Sequence, residues 1–119
     1  MNKDDLCLIL TATIEVKNVH FTDRNITTVR LNDYLNSFQY WISHKDVKNI
    51  IFIENSGFDL SPFKNLVCNT NINIEFISFE QEFFNPKFGK GYGEKLILNY
   101  LVDHSLLLCK CDKFIKISG

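Results

Sequence analysis

The sequence has almost no charge imbalance. Thirteen Lys and Arg face fourteen Asp and Glu over 119 residues, a formal net charge of -1. A chain so balanced has no field to hold nucleic acid non-specifically, so no nucleic-acid partner is expected. Long apolar runs are missing too. The longest, Leu6–Leu10 and Leu106–Cys109, fall far short of the ~20 residues a membrane span needs. The amino terminus, Met1-Asn2-Lys3-Asp4-Asp5, carries two acids where a signal peptide has basic residues, and no small-residue cleavage site follows. A cytoplasmic location without a membrane span is expected. Zinc-type spacing is absent. Cys7 and Cys68 sit in apolar segments, Cys109 and Cys111 form a single C-x-C, and His20, His44 and His104 stand alone. The thiols read as reduced and structural. No D-x-D occurs, so a cation held by clustered carboxylates is not visible and the cofactor requirement stays open, a divalent cation included. Arginine (two) and alanine (one) are scarce beside thirteen Asn, thirteen Ile, eleven Phe and eleven Lys. That bias fits a low-GC coding sequence and says nothing about a reaction.

What is present fits one globular domain. The composition, 45% hydrophobic and 23% charged, is average for folded chains of this size. Leu6 to Ile14 is a continuous apolar run ending in small polar residues, the pattern of a strand buried on both faces. Glu15 to Thr28 lacks a period and reads as a loop. Val29, Leu31, Tyr34, Leu35, Phe38, Trp41 and Ile42 then recur at three-and-four spacing, which predicts an amphipathic helix from about Thr28 to near His44. Asn49–Glu54 is a second buried strand, closed by Asn55-Ser56-Gly57. Ser61 before Pro62 reads as the N-cap of a short helix running to about Val67. Ile74–Phe79 is a third strand. A loop from Glu80 to Lys90 tucks in Phe83, Phe84 and Phe88, and Gly89, Gly91 and Gly93 lead into a helix through Leu96, Ile97, Tyr100, Leu101, His104 and Leu107 or Leu108. Lys113–Ser118 is a fourth strand. The order β-α-β-α-β-α-β predicts an α/β fold: a three-layer, Rossmann-like half-domain with a mostly parallel sheet of about four strands and helices on both faces.

In such sheets ligands bind beyond the carboxyl ends of the strands. Four segments would converge there: Thr11–Glu15, Glu54–Gly57, Glu80–Glu94 and Lys116–Gly119. Their small, polar, glycine-containing make-up suits close backbone approach to a ligand. In Gly89-Lys-Gly-Tyr-Gly-Glu-Lys95, alternate glycines can turn amides toward an anion. The helix N-terminus adds its positive end, and Lys90 or Lys95 a full charge. A pyrophosphate would fit, although the same residues also read as a plain turn. The segment is neither a Walker A loop nor the dinucleotide fingerprint, which follows the first strand. Glu54 can hydrogen-bond a ribose or base edge, or be a solvated strand end. Thr11 and Thr13 can line a base pocket or be ordinary strand residues, and Tyr92 can stack on a base or pack inward. No Ser/His/Asp or Cys/His set assembles at this edge, and Thr13-Ile14-Glu15 lacks the paired acids of a phosphorelay receiver.

Five blocks taken together carry a resemblance: Leu8–Thr13, Ile51–Gly57, Ile74–Phe79, Gly89–Glu94 and Asp112–Gly119. In this order, over nearly the whole chain, they resemble the N-terminal half of bacterial capsule and O-antigen polysaccharide glycosyltransferases. The resemblance implies a GT-A-type domain, spanning residues 1–119, that binds a nucleotide-diphosphate sugar and is expected to lack the family's C-terminal half. Thr11, Ala12 and Thr13 with Glu54, Asn55, Ser56 and Gly57 would then hold the nucleoside. Lys90, Gly91, Tyr92 and Gly93 would approach the diphosphate, Lys116 would support the sugar, and Glu94 is the candidate base for the acceptor hydroxyl. A glycan acceptor, and a second polypeptide or a second copy of the chain, are the implied partners. The alternative expectation is a non-enzymatic nucleotide-binding or assembly module, or an inactive truncated remnant of such an enzyme.

Overall fold

A computed structural model describes residues 6–15, 26–67, 70–81, 89–111 and 113–118. The elements run β1 (Leu6–Ala12), α1 (Ile26–Ile42), β2 (Asn49–Glu54), α2 (Ser61–Lys64) continued by a 3-10 turn (Asn65–Val67), β3 (Asn73–Ser78), α3 (Gly89–His104), a second 3-10 turn (Leu108–Lys110) and β4 (Lys113–Ser118). The four strands form one all-parallel sheet in the order β3-β2-β1-β4. This is an α/β, Rossmann-like arrangement.

Side-chain alternation explains the layering. Even-numbered Leu8, Leu10 and Ala12 of β1 share a face with Ile50 and Phe52 of β2, and there they meet Tyr34 and Phe38 of α1 and Phe63 of α2. Odd-numbered Cys7 and Ile9 share the other face with Ile51 and Ile53 and meet Ile97 and Leu101 of α3. β1 to β2 to β3 step one way, with α1 and α2 on one side. The crossover from β3 to β4 steps back, and an unchanged right-handed crossover then carries its helix to the opposite face. The α1 face is aromatic: Phe38, Phe52 and Phe63 meet with ring centroids 4.5 to 5.6 Å apart. On the α3 face burial pushes the Cys7 thiol up to about 12, helped by the neighbouring Cys111 thiol, so Cys7 behaves as a small apolar residue.

Several boundaries differ from the expectations. Helix α1 begins at Ile26, two residues before the expected start, and Val29 is exposed on it. Ser61 is not the N-cap of α2. Leu60 holds that position without a side-chain bond, and Asp59 Oδ1 instead accepts the Ser61 N–H (3.0 Å) and Oγ–H (2.8 Å). The glycine triplet does not precede α3 as a loop. Gly89, Gly91 and Gly93 are its first residues, where the packing of Ile97 and Leu101 outweighs a helix cost of ~1 kcal/mol per glycine. His104, expected among the apolar positions, is exposed and stacked on Tyr100. Phe83, Phe84 and Phe88 lie outside the described residues.

At its far end α3 is fastened to β3. The Glu75 carboxylate accepts the Ser105 hydroxyl and the Leu106 N–H (2.9 Å). β3 and β4 are the outer strands, and Phe114 and Ile115 of β4 are 60% and 50% exposed.

Candidate functional site

The strand order reverses between β1 and β4, so the switch point falls at the carboxyl ends of these two strands. A polar network is built there from three elements. At its centre is Glu54, the last residue of β2 and 0% exposed. Its Oε2 accepts the Ile14 N–H (2.7 Å) and the Ser56 hydroxyl (2.7 Å). Its Oε1 accepts the Ser56 N–H (2.7 Å) and the Phe58 N–H (3.0 Å). Four donors offset the desolvation of this carboxylate. They also tie the chain leaving β1 to the chain leaving β2. Glu54 therefore does not face a ribose or a base: it organises the loops around it.

The network continues outward. The Thr13 hydroxyl donates to Asn55 Oδ1 (2.6 Å), and the Asn55 side-chain amide donates to Gln81 Oε1 (3.3 Å). The Glu15 N–H reaches Ser56 Oγ (3.0 Å), the Asn55 N–H reaches the Ala12 carbonyl (3.1 Å), and Ser56 bridges antiparallel to Glu80. Gly57 turns the chain away with φ +75, a conformation that favours glycine, and a Cβ there would meet only an ordinary contact with Glu80. From α1, Arg30 Nε donates to the Thr13 carbonyl (2.7 Å) and Arg30 Nη2 to Tyr34 Oη (3.2 Å). The same Tyr34 oxygen accepts the Thr13 N–H (3.1 Å).

On the α3 side Glu94 Oε2, itself shielded from solvent, lies 2.7 Å from Lys116 Nζ on β4. The two side chains are 35% and 30% exposed.

The structure thus brings the expected residues together in two groups. Thr11–Thr13 joins Glu54–Gly57, and Glu94 joins Lys116. Thr11 and Ala12 are buried at 4% and 3% exposure, so their side chains are strand interior rather than a base-pocket lining, while Thr13 and Asn55 are half-buried. Lys90, Gly91, Tyr92 and Gly93 lie in the opening turns of α3, and their side chains fall outside the described residues. Arg30 and Tyr34 were not expected at the site, and Gln81 was expected there only as part of the Glu80–Glu94 segment. The signal for the first two was present: a cation and a phenol four residues apart share one helix face, and this arginine is one of only two in the chain.

Among the described residues no group of three or more His, Cys, Asp or Glu could hold a metal ion, and no helix is long and apolar enough to cross a membrane. Two open grooves lie at the opposite, amino end of the sheet. One of about 410 Å³ is lined by Ile42, His44, Lys48 and Ile72 among others, and one of about 260 Å³ by Glu75, Leu106 and Lys110 among others. Comparison with protein-family models, with curated proteins and with solved structures gave no match.

Proposed function

We propose that the chain binds a nucleotide-diphosphate sugar at the carboxyl edge of its sheet, as the donor-binding part of a glycosyltransferase of polysaccharide biosynthesis. The observation that carries this reading is the hydrogen-bonded edge at the β1/β4 switch point, flanked by cations from two elements, Arg30 of α1 and Lys116 of β4. Open parallel sheets bind phosphorylated ligands at this position. Thr13, Asn55 and Ser56 offer hydrogen-bonding groups for the nucleoside. The first-turn amides of α3 and Lys90 offer stabilisation for the departing diphosphate. Transfer further requires a base for the acceptor hydroxyl, and Glu94 is the candidate. A cytoplasmic location belongs to the same proposal. So does completion of the sheet by a second polypeptide or a second copy at β4, where Phe114 and Ile115 are exposed.

The Lys116–Glu94 contact favours a second reading, a nucleotide-binding module without catalysis. The Glu94 oxygen that a base would use is held 2.7 Å from the Lys116 ammonium. Calorimetry of the purified chain against UDP, GDP and CMP, with and without Mn²⁺, tests the donor reading. Saturable binding of one nucleotide, weakened by Lys90→Ala, is expected. A folded chain that binds none of them overturns it. Sugar release from the matching nucleotide sugar, abolished by Glu94→Gln, separates the enzyme from the module.

A further inference from the structure

The side chain whose arrangement is least explained by folding is Arg30. It stands one turn into α1, half-buried, with both tethers to uncharged oxygens: the Thr13 carbonyl on Nε and the Tyr34 phenol on Nη2. These two atoms form one edge of the guanidinium. The other edge, the parallel N–H pair of Nη1 and Nη2, is the fork that grips an oxyanion in bidentate fashion. Among the described residues no carboxylate forms an ion pair with Arg30.

The tethers are rigid in their turn. Tyr34 Oη accepts from both Arg30 and the Thr13 N–H, closing a three-residue ring, and the Thr13 hydroxyl is held by Asn55. The guanidinium carbon also lies 5.8 Å from the centre of the Tyr34 ring. A fork held this way loses little freedom when it meets a ligand.

Charge accounting points the same way. The first turn of α1, which Arg30 follows directly, contains no acidic residue that could pair with it. The chain uses lysine for eleven of its thirteen cations, yet this position holds an arginine, whose planar fork lysine lacks.

We propose that Arg30, held by Thr13 and Tyr34, is the receptor for a phosphate-type oxyanion at the carboxyl end of β1. That this oxyanion is the diphosphate of a sugar donor rests on the reading above; the anion site itself does not.

The probes are pyrophosphate and acetate titrated into the full chain by calorimetry, with UDP and GDP as a separate arm. Pyrophosphate is expected to bind saturably and acetate not. Arg30→Lys, which keeps the charge and removes the fork, is expected to weaken pyrophosphate by about tenfold or more. Tyr34→Phe, which removes one tether, is expected to weaken it less. The Arg30 Nε–H resonance of the unmodified chain should shift on pyrophosphate addition, a readout independent of whether the variants fold. Pyrophosphate binding unchanged in a folded Arg30→Lys variant, an Nε–H resonance that stays still, or acetate binding as tightly as pyrophosphate would each overturn the proposal. Arg30-dependent pyrophosphate binding without nucleotide binding keeps the anion site and removes the sugar donor. Nucleotide binding indifferent to Arg30 does the reverse.

Discussion

The two ends of the sheet are built differently. At the amino end, open grooves of about 410 and 260 Å³ are bordered by Ile42, Val47, Ile72 and Leu107 with scattered lysines. Its polar contacts include a short asparagine ladder, with Asn73 Nδ2 donating to Asn49 Oδ1 (3.0 Å) and Asn49 Nδ2 to the Leu6 carbonyl (3.3 Å), and the Glu75 carboxylate holding Ser105 and Leu106. At the carboxyl end a fully buried carboxylate, a tethered guanidinium and an ion pair are held by residues from α1, β2, α3, β4 and three loops. A groove alone does not mark a place where chemistry is organised. Side chains that restrain one another's direction do, because a ligand can draw only on groups already aimed.

The contrast predicts unequal sensitivity. Glu54→Gln keeps the size of the side chain but sets an amide N–H₂ against donors from Ile14, Ser56 and Phe58. A loss of about 3–5 kcal/mol is expected in urea denaturation, the range for breaking a buried charged network. Asn49→Ala at the other end removes neutral hydrogen bonds and should cost about 1 kcal/mol. Equal losses at the two sites would break the comparison. Gly57→Val comes next, at about 1–2 kcal/mol, because φ +75 strains a β-branched residue whatever space is available. Its amide exchange should rise at Ser56 and Phe58 first, since both N–H groups rest on the Glu54 carboxylate.

The sequence made the framework of this molecule legible and left most of the site hidden, for a physical reason. Leu6–Leu10 and Ile50–Ile53 are apolar without alternation, and only a strand covered on both faces satisfies that pattern at such a length. Alternation with helices then demands a parallel sheet. The role of Glu54 was not legible, because its burial depends on the N–H of Ile14, forty positions away, and on a hydroxyl two residues ahead. A glutamate at a strand end looks the same whether it meets water, a ligand or its own loops. Arg30 was hidden by the helix pattern around it. Period analysis sorts residues into apolar and polar faces, and it does not show that a polar residue lies beside the end of β1. The glycine triplet misled in the opposite sense. Local preference reads Gly89–Gly93 as a turn, whereas helix α3 is long enough to extend through it.

Two smaller effects sharpen the picture at the carboxyl end. Lys116→Met removes the partner of Glu94 Oε2, but both side chains are about one-third exposed, so water can take over. A loss below about 1 kcal/mol is expected. A loss as large as that of Glu54→Gln would mean that this pair, and not the buried carboxylate, organises the edge.

The smallest effect concerns Asp59, just beyond this network. The Ser61 hydroxyl and N–H hold its carboxyl below its ordinary value, with a minor contribution from Lys64. The folded chain therefore binds this proton more weakly than the unfolded chain does. The resulting stabilisation is present above the ordinary carboxylate range and fades as pH falls through the lowered folded value. A carbon-detected titration of Asp59 should read below the ordinary value in the natural chain and return toward it in Ser61→Ala. An Asp59 carboxyl that titrates at or above its ordinary value in the natural chain would show that Asp59 does not hold the Ser61 N–H and hydroxyl at the start of α2. The start of that helix would then rest on Pro62 and the packing of Phe63 alone.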